Sequence, residues 1–394
     1  MRGAAVLCNT FDSAAQVRFA MGKSSNNREV KRNNRLDTLR AILASGRISQ
    51  PALAARLGHS GPTVLQNVRE LMALGLVQEA GMFDSTGGRK AKAFAPVCDA
   101  RLAVGLEITR THLGVALIDL AGHLLFHERH KLPFAMTTAY LTSLGSAVTG
   151  LLAQQAVPEG RLLGVGISLP GIVDRQGAVL TSSHVLRLYN VQTENFRRFL
   201  PYPCFFINDA NAAALAEVHG GEDGGSLVYL SLSNSVGGAI LTNGRLYAGD
   251  HQRAGEFGHN TLVPGGRRCY CGKQGCLDAY CNATVLSDLA EGSLALFFER
   301  LHSGNPGCTA AWQTYLENLA VAVNNLHMSF DCKVVAGGYV GSYMEAFAPT
   351  FPEMLAARNP FEPDGSYFRF CRHRVSASAI GAALLPVEDF LQRI

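Results

Sequence analysis

The sequence lacks any apolar run long enough to span a membrane, and only 17% of its 394 residues are charged. Its first 22 residues also lack the basic start and apolar core of a secretion signal. With 47% hydrophobic residues, this composition predicts a soluble globular protein without membrane insertion. We interpret residues 1–25 as a disordered tail, with Met21 as an alternative start. The length predicts two or three domains.

The ten cysteines are not arranged like a disulfide scaffold, because four of them fall between Cys269 and Cys281. Clustered cysteines are typical of a metal site, and free thiols persist in a reducing compartment. This pattern predicts a cytoplasmic protein.

The segment 255–276 reads Gly-Glu-Phe-Gly-His and then, after nine residues, Cys-Tyr-Cys-Gly-Lys-Gln-Gly-Cys. One histidine and three cysteines at this spacing are the ligand set of a Cys3His zinc site. The predicted ligands are His259, Cys269, Cys271 and Cys276. Four protein ligands leave no open position, so we predict one structural Zn²⁺ per chain. A helix would place Glu256 and His259 on one face. The alternative is reduced cysteines that merely pack.

Positive charge is concentrated at the front of the chain. Residues 1–98 hold 14 Lys and Arg against 6 Asp and Glu, whereas the remaining 296 residues hold 21 against 25. Such asymmetry predicts that the first hundred residues bind a polyanion. A solvated basic surface is the alternative.

The region 26–97 has the pattern of a winged helix-turn-helix domain. Helical spacing of apolar residues predicts helices over 35–45 and 51–57 and a third helix after Ser60, and two strands at 76–79 and 92–95 flank a glycine-rich loop. The polar face of the third helix and the loop tip would bind operator DNA. The predicted contacts are Ser60, Thr63, Gln66, Asn67, Arg69, Arg89 and Lys90. The same helical pattern also occurs in protein-interaction modules.

The pattern changes after Arg101. Strands are predicted at 103–108, 113–119 and 124–128, followed by a helix over 138–155 and a buried strand at 163–168. A second copy of this rhythm begins at Ser226. The duplication predicts two mixed α/β lobes with a ligand cleft between them.

Several motifs together resemble the ROK family of sugar kinases and sugar-responsive repressors. They are Gly166–Asp174, Ile207–Ala214, Glu256–His259, the Cys269–Cys276 block and Val334–Gly338. The resemblance implies an α/β, actin-like fold of two lobes, a duplicated ribonuclease H-like fold, after the winged helix. We expect lobe 1 to comprise 98–208 and 372–394, and lobe 2 to comprise 209–371 with the zinc loop. The N-terminal winged helix points to the repressor branch.

The resemblance also implies a sugar site in the cleft. Its residues would be Gly171, Asn208, Asp209, Glu256, His259 and Asp278. In the kinases, the aspartate that matches Asp209 is the catalytic base. Asp278 replaces the usual glutamate, and Ser183-His184 replaces a Pro-Asn pair, which leaves the identity of the sugar open. From the residues alone, Asp209 could equally be a helix N-cap.

Two phosphate-binding turns of the kinases are altered here. The sequence Glu107–Thr111 stands where kinases have Asp-x-Gly-Gly-Thr, and Ser233–Ser235 stands where they have Gly-Thr-Gly. β-Branched side chains fill the space that glycine leaves for phosphate. The sequence therefore predicts no kinase activity, with Asp209 as a vestigial base.

Taken together, these features predict a sugar-responsive transcriptional repressor of carbohydrate uptake or catabolism genes. Its expected partners are operator DNA, a sugar or sugar phosphate, and further copies of itself in a homodimer or homotetramer. A transporter component as partner has no signature in the sequence. The alternatives are a sugar kinase with a fused DNA-binding arm and a regulator that senses zinc itself.

Overall fold

The computed structural model describes residues 27–83, 91–220 and 225–394. The chain divides into two compact units, with the boundary between Pro96 and Val97. Among the described residues, no helix combines the length and the apolar character needed to cross a membrane.

The first unit has three helices and a three-stranded sheet. Its elements are α1 (Asn27–Ser45), β1 (Ile48–Ser49), α2 (Gln50–Leu57), α3 (Gly61–Ala73), β2 (Val77–Met82) and β3 (Lys92–Pro96), with sheet order β1-β3-β2. Ser49 caps α2 by accepting from the Ala52 amide, and Ser60 caps α3 by accepting from the Thr63 amide. Both caps confirm the predicted helix starts. Helix α1 begins eight residues earlier than the sequence pattern predicted.

Lobe 1 of the second unit is built on a five-stranded sheet. Its elements are β4 (Leu102–Ile108), β5 (His112–Asp119), β6 (Leu124–Lys131), α4 (Thr138–Gln154), β7 (Leu162–Leu169), β8 (Ile172–Val173), β9 (Val179–Ser183), β10 (Leu188–Gln192), α5 (Glu194–Arg197) and β11 (Cys204–Asn208). The sheet order is β11-β7-β4-β5-β6, and β8, β9 and β10 form a separate small sheet. All seven residues of β4 are buried, as expected for a strand covered on both faces.

Lobe 2 repeats this plan. Its elements are α6 (Asp209–Val218), β12 (Leu227–Leu232), β13 (Val236–Thr242), β14 (Arg245–Leu246), α7 (Asp278–Cys281), α8 (Thr284–Ser287), α9 (Leu294–His302), α10 (Pro306–Phe330), β15 (Lys333–Gly337), α11 (Gly338–Phe347), α12 (Phe351–Ala356) and β16 (Phe368–Phe370); α13 (Ala377–Arg393) then returns to lobe 1. The sheet order β16-β15-β12-β13-β14 matches that of lobe 1, with parallel and antiparallel pairs in the same places. The predicted duplication is confirmed.

Helices α6 and α13 pack against each other where the lobes meet. A Cβ atom on Gly166 of β7 would lie 1.8 Å from the Ala382 carbonyl oxygen, so α13 lies directly on the lobe 1 sheet. A Cβ atom on Gly381 would lie 1.7 Å from the Ala212 carbonyl oxygen, so α13 also touches α6. Ala213 of α6 packs with Tyr229 on the lobe 2 sheet. The two helices therefore link the sheets.

Candidate functional site

The structure brings the four predicted metal ligands together. One ligand atom each from His259, Cys269, Cys271 and Cys276 lies within 4.8 Å of all the others. The Sγ atoms of Cys271 and Cys276 are 3.8 Å apart, and Cys269 Sγ is 3.9 Å from His259 Nδ1. Tetrahedral zinc with bonds of about 2.3 Å to sulfur would separate two thiolates by about 3.8 Å. The donor set and its geometry therefore fit a closed zinc site.

A short, tight loop makes this convergence possible. The backbone of Cys269 donates to the carbonyl of Lys273 at 2.8 Å, and Gly275 has φ +82°. A Cβ atom on Gly275 would lie 1.8 Å from the Val263 carbonyl oxygen, so no larger residue fits there. Lys273 Nζ also donates to the carbonyl oxygen of His259 at 3.1 Å. The loop thus positions its three thiols and also the backbone of His259.

His259 ends a single 3-10 turn, Phe257–His259, and not the helix that would have placed Glu256 and His259 on one face. The backbone amide of His259 donates to the carbonyl oxygen of Glu256 at 3.1 Å, which still places these two residues side by side. Glu256 is exposed and contributes to a cavity of about 530 Å³ between this turn, β13 and α10. The other ring nitrogen of His259, Nε2, lies 3.4 Å from the Tyr270 hydroxyl.

Tyr270 was missed by the sequence analysis. Its ring centroid is 5.4 Å from that of His259 and 6.2 Å from that of His184, which extends from lobe 1 after β9. The available signal was its position between two of the predicted metal ligands, Cys269 and Cys271, because that position brings Tyr270 close to the His259 ring. Any hydroxyl that binds His259 Nε2 would meet Tyr270 as well.

The predicted sugar-binding pair lies where β11 passes into α6. Asn208 Oδ1 accepts from the Asn211 amide at 3.0 Å, and Asn208 Nδ2 donates to the carbonyl oxygen of Gly171 at 3.1 Å. Asn208 is therefore the N-cap of α6, and the alternative that Asp209 is the cap is wrong. The Asp209 carboxylate accepts from the Ala210 amide at 2.9 Å and remains near the floor of the cleft.

Desolvation raises the pKa of Asp209 to about 6, although the Ala210 amide lowers it and the charge of Glu256 raises it further. Desolvation also raises the pKa of Glu107 to about 7, against the lowering effect of Arg129. Two acids with raised pKa values thus line one cavity. Thr109 and Ser233 line this cavity from opposite lobes, and each lies on one of the two turns that the sequence analysis compared with the phosphate-binding turns of the kinases.

Asp278 is almost completely buried, at 2% exposed. One of its oxygens accepts from the Val236 amide at 2.6 Å, and the other accepts from Asn282 Nδ2 at 3.3 Å. Desolvation raises its pKa, whereas these hydrogen bonds lower it. Asp278 therefore braces the start of β13, and its contact with a sugar remains a prediction.

The exposed face of α3 carries most of the predicted DNA contacts. Gln66 and Arg69 are exposed, and the Ser60 and Thr63 hydroxyls lie 2.8 Å apart at the start of the helix. The prediction for Asn67 is wrong, because its side chain is 2% exposed and donates to Asn34 O at 3.1 Å and Thr38 Oγ1 at 3.0 Å. These two hydrogen bonds from Asn67 join α3 to α1. Arg89 and Lys90 lie outside the described residues.

Comparison with known proteins gives two family matches. Residues 103–388 match the ROK family, and residues 31–78 match a winged helix-turn-helix DNA-binding family. The xylose repressor of Bacillus spizizenii is 26% identical over 314 residues, which cover 78% of this chain and 82% of that protein.

Solved structures show the same architecture. A ROK family transcriptional regulator, described as a homologue of the E. coli MLC protein, matches 92% of this chain and 98% of its own with a TM-score of 0.72 at 20% identity. A ROK hexokinase from Thermus thermophilus is 27% identical and matches 73% of this chain and 99% of its own, with a TM-score of 0.56. The matched regulator spans both units, whereas the matched hexokinase covers about the length of the second unit alone.

Proposed function

Because the chain belongs to the ROK family, we propose that it is a sugar-responsive DNA-binding transcriptional regulator that represses carbohydrate uptake or catabolism genes. One observation carries this proposal: a winged helix-turn-helix DNA-binding module over 31–78 precedes the family domain in a single chain. The similarity to the xylose repressor supports the same function. A cytoplasmic location follows from binding to operator DNA.

The DNA contacts that we propose are Ser60, Thr63, Gln66 and Arg69 on the exposed face of α3. Hydroxyl, amide and guanidinium groups read base edges and bind phosphates, and the basic surplus of residues 1–98 favours a polyanion. A homodimer would place two α3 helices on half-sites separated by about one or more turns of duplex. A homotetramer would bring together two such pairs.

The effector would be a sugar or sugar phosphate held in the cleft. Asn208 and Asp209 approach it from the β11–α6 junction, and Glu256 and His259 approach it from the 3-10 turn and zinc loop, so it would contact both lobes. Binding to one lobe arrangement in preference to another is what couples the two ligands. Coupling of about 1 to 3 kcal/mol would change operator affinity by about 5-fold to 150-fold.

The test begins with DNA fragments selected from a random library by the purified protein, followed by titration with free and phosphorylated sugars. We expect one sugar class to change the affinity for DNA. Asp209→Asn should lower the affinity for that sugar by about 10-fold to 100-fold, because a charge-assisted hydrogen bond contributes about 1.5 to 3 kcal/mol. Arg69→Ala should weaken DNA binding and leave sugar binding unchanged. A protein that selects no DNA, or that ignores every sugar, would contradict the proposal.

We further propose that the protein is not an enzyme. Thr109 and Arg110 stand where the kinases have two glycines, and both residues line the cavity that also contains Asp209. A kinase with a DNA-binding arm is the second candidate, since the matched hexokinase shares the family domain. Sugar-dependent ATP turnover that Asp209→Asn abolishes would establish that second function.

We propose one structural zinc ion per chain, bound by His259, Cys269, Cys271 and Cys276. The ion would tie the cysteine loop to the turn that carries Glu256, and it would hold the His259 ring in one orientation. Cys276→Ser should remove the metal and lower thermal stability, whereas Cys332→Ser, a partly exposed cysteine outside the cluster, should do neither. Elemental analysis and thermal unfolding measure both effects. Reversible control of DNA binding by zinc in the folded protein would instead establish a zinc sensor.

A further inference from the structure

A side-chain contact joins the two lobes beside the altered phosphate turns. Arg129 on β6 of lobe 1 donates from Nη2 to the hydroxyl of Tyr339 at 2.5 Å. Its guanidinium carbon also lies 4.7 Å from the centroid of the Tyr339 ring. Tyr339 is the second residue of α11 in lobe 2, directly after Gly338. One side chain from each lobe therefore makes both a hydrogen bond and a cation–π contact.

A glycine makes room for Arg129 to be held in place. Glu107 on β4 and Arg129 on β6 both pair with Gly114 of the intervening strand β5. Since residues in register on neighbouring strands point to the same face, the two side chains meet above a position that has none. Arg129 Nε lies 3.8 Å from Glu107 Oε2, and Glu107 is 6% exposed. The Glu107 carboxylate thus lies beside the Arg129 guanidinium.

The contact between Arg129 and Tyr339 lies beside the cavity that both altered turns line. Glu107 and Tyr339 line the same cavity of about 40 Å³ that Thr109 and Ser233 enter from the two altered turns. Tyr339 therefore lies in the part of the cleft that both altered turns line. In the family's kinases both turns serve one nucleotide, which would therefore contact both lobes.

We propose that Arg129 and Tyr339 form an internal bridge that replaces the nucleotide as the link between the lobes. Both are positioning residues: they hold the lobe arrangement in which the proposed sugar contacts from the two sides converge. The role in sugar binding rests on the proposed function, whereas the bridge itself needs no ligand. Loss of the bridge should let the lobes separate and should weaken sugar binding.

The experiment measures the distance between the lobes without any sugar. Spin labels attached through an unnatural amino acid at Leu125 of lobe 1 and Leu289 of lobe 2, which are 50% and 51% exposed, report this distance by pulsed resonance. We expect one narrow distribution for the parent protein and a broader one with longer distances for Tyr339→Phe, which loses only the hydroxyl. Arg129→Met should broaden it further.

Tyr343→Phe is the matched control, because Tyr343 lies on the same helix and stacks on Phe298 of lobe 2 at 4.1 Å. Equal distributions for Tyr339→Phe and the parent protein would overturn the proposal, as would equal broadening by Tyr343→Phe. Circular dichroism and zinc content confirm that each variant is folded. A second arm measures sugar affinity, which should fall by about 2-fold to 10-fold in Tyr339→Phe. Broadened distances in a protein that binds no sugar would support the bridge and contradict the proposed function alone.

Discussion

The two lobes share one sheet topology but use equivalent positions differently. In each lobe the first hairpin has a three-residue turn, 109–111 in lobe 1 and 233–235 in lobe 2, and both turns enter the cleft. Behind each turn a strand glycine pairs with the first strand: Gly114 with Glu107, and Gly237 with Ser231.

The space above these glycines is filled in different ways. Glu107 fills it in lobe 1, because a Cβ atom on Gly114 would lie 3.0 Å from the Glu107 carboxylate. Helix α6 fills it in lobe 2, because a Cβ atom on Gly237 would lie 3.3 Å from Cβ of Ala210. Two lobes with the same sheet topology thus fill equivalent space differently, with the Glu107 side chain in lobe 1 and with helix α6 in lobe 2.

The largest loss of stability is expected from adding a side chain to the lobe 1 sheet beneath α13. Gly166→Ala places a methyl group 1.8 Å from a backbone carbonyl oxygen of α13, whereas Gly238→Ala in lobe 2 meets the Phe257 ring at 2.3 Å and the Gly255 carbonyl oxygen only at 2.9 Å. A ring can shift more easily than a packed helix. We expect Gly166→Ala to lower the free energy of unfolding by about 3 kcal/mol and Gly238→Ala to cost less.

Urea unfolding followed by circular dichroism, and by fluorescence of the single tryptophan, Trp312 in lobe 2, measures these changes. Gly150→Ala on α4 is the control, because its Cβ would have no atom within 4 Å. A Gly166 variant as stable as the Gly150 variant would show that α13 does not lie against the lobe 1 sheet.

The next largest change in stability is expected at Glu107, because lobe 2 has Ser231 at the equivalent position. The pKa of Glu107 is about 7 in the folded protein and about 4.3 in an unfolded chain. Between these values the folded state binds more protons, so stability falls as pH rises from about 4.5 to 7 and then levels off. Glu107→Gln should remove most of this slope and raise stability at pH 8 by an amount on the order of 1 to 3 kcal/mol.

Unfolding free energies measured from pH 5 to pH 8 test this prediction. Some slope below pH 6 should survive in the variant, because the pKa of Asp209 is also raised, to about 6. An unchanged slope between pH 6 and pH 7 would mean that Glu107 is ionised when folded and fully paired with Arg129.

The smallest changes in stability are expected from substituting Gly114 and Gly237. Gly114→Ala and Gly237→Ala should each lower stability by about 1 kcal/mol. Only Gly114→Ala should alter the pH dependence, because the Glu107 carboxylate then has to move. The same unfolding series provides the measurement, and matching pH profiles for the two variants would contradict the different roles assigned to these glycines.

Local patterns were sufficient for much of this protein. The helix starts at Ser49 and Ser60, the run of strands after Arg101 and the cluster of four potential metal ligands all depend on residues close together in the chain. Errors arose where a distant partner decided the outcome. Asn67 has a polar side chain at a position with helical spacing toward solvent, yet its partners Asn34 and Thr38 lie on α1 and bury it.

The sequence by itself determined the two kinds of unit, the repeated run of strands and the cluster of one histidine and three cysteines, because hydrophobic periodicity, capping residues and loop spacing act over short distances. Only the tertiary structure decided that the Asn208 side chain also donates to the Gly171 carbonyl oxygen, 37 positions away, and that Arg129 meets Tyr339 across 210 positions of the chain. Those outcomes depend on how two sheets and two crossing helices approach one another, and close packing fixes that approach through contacts that no short segment contains.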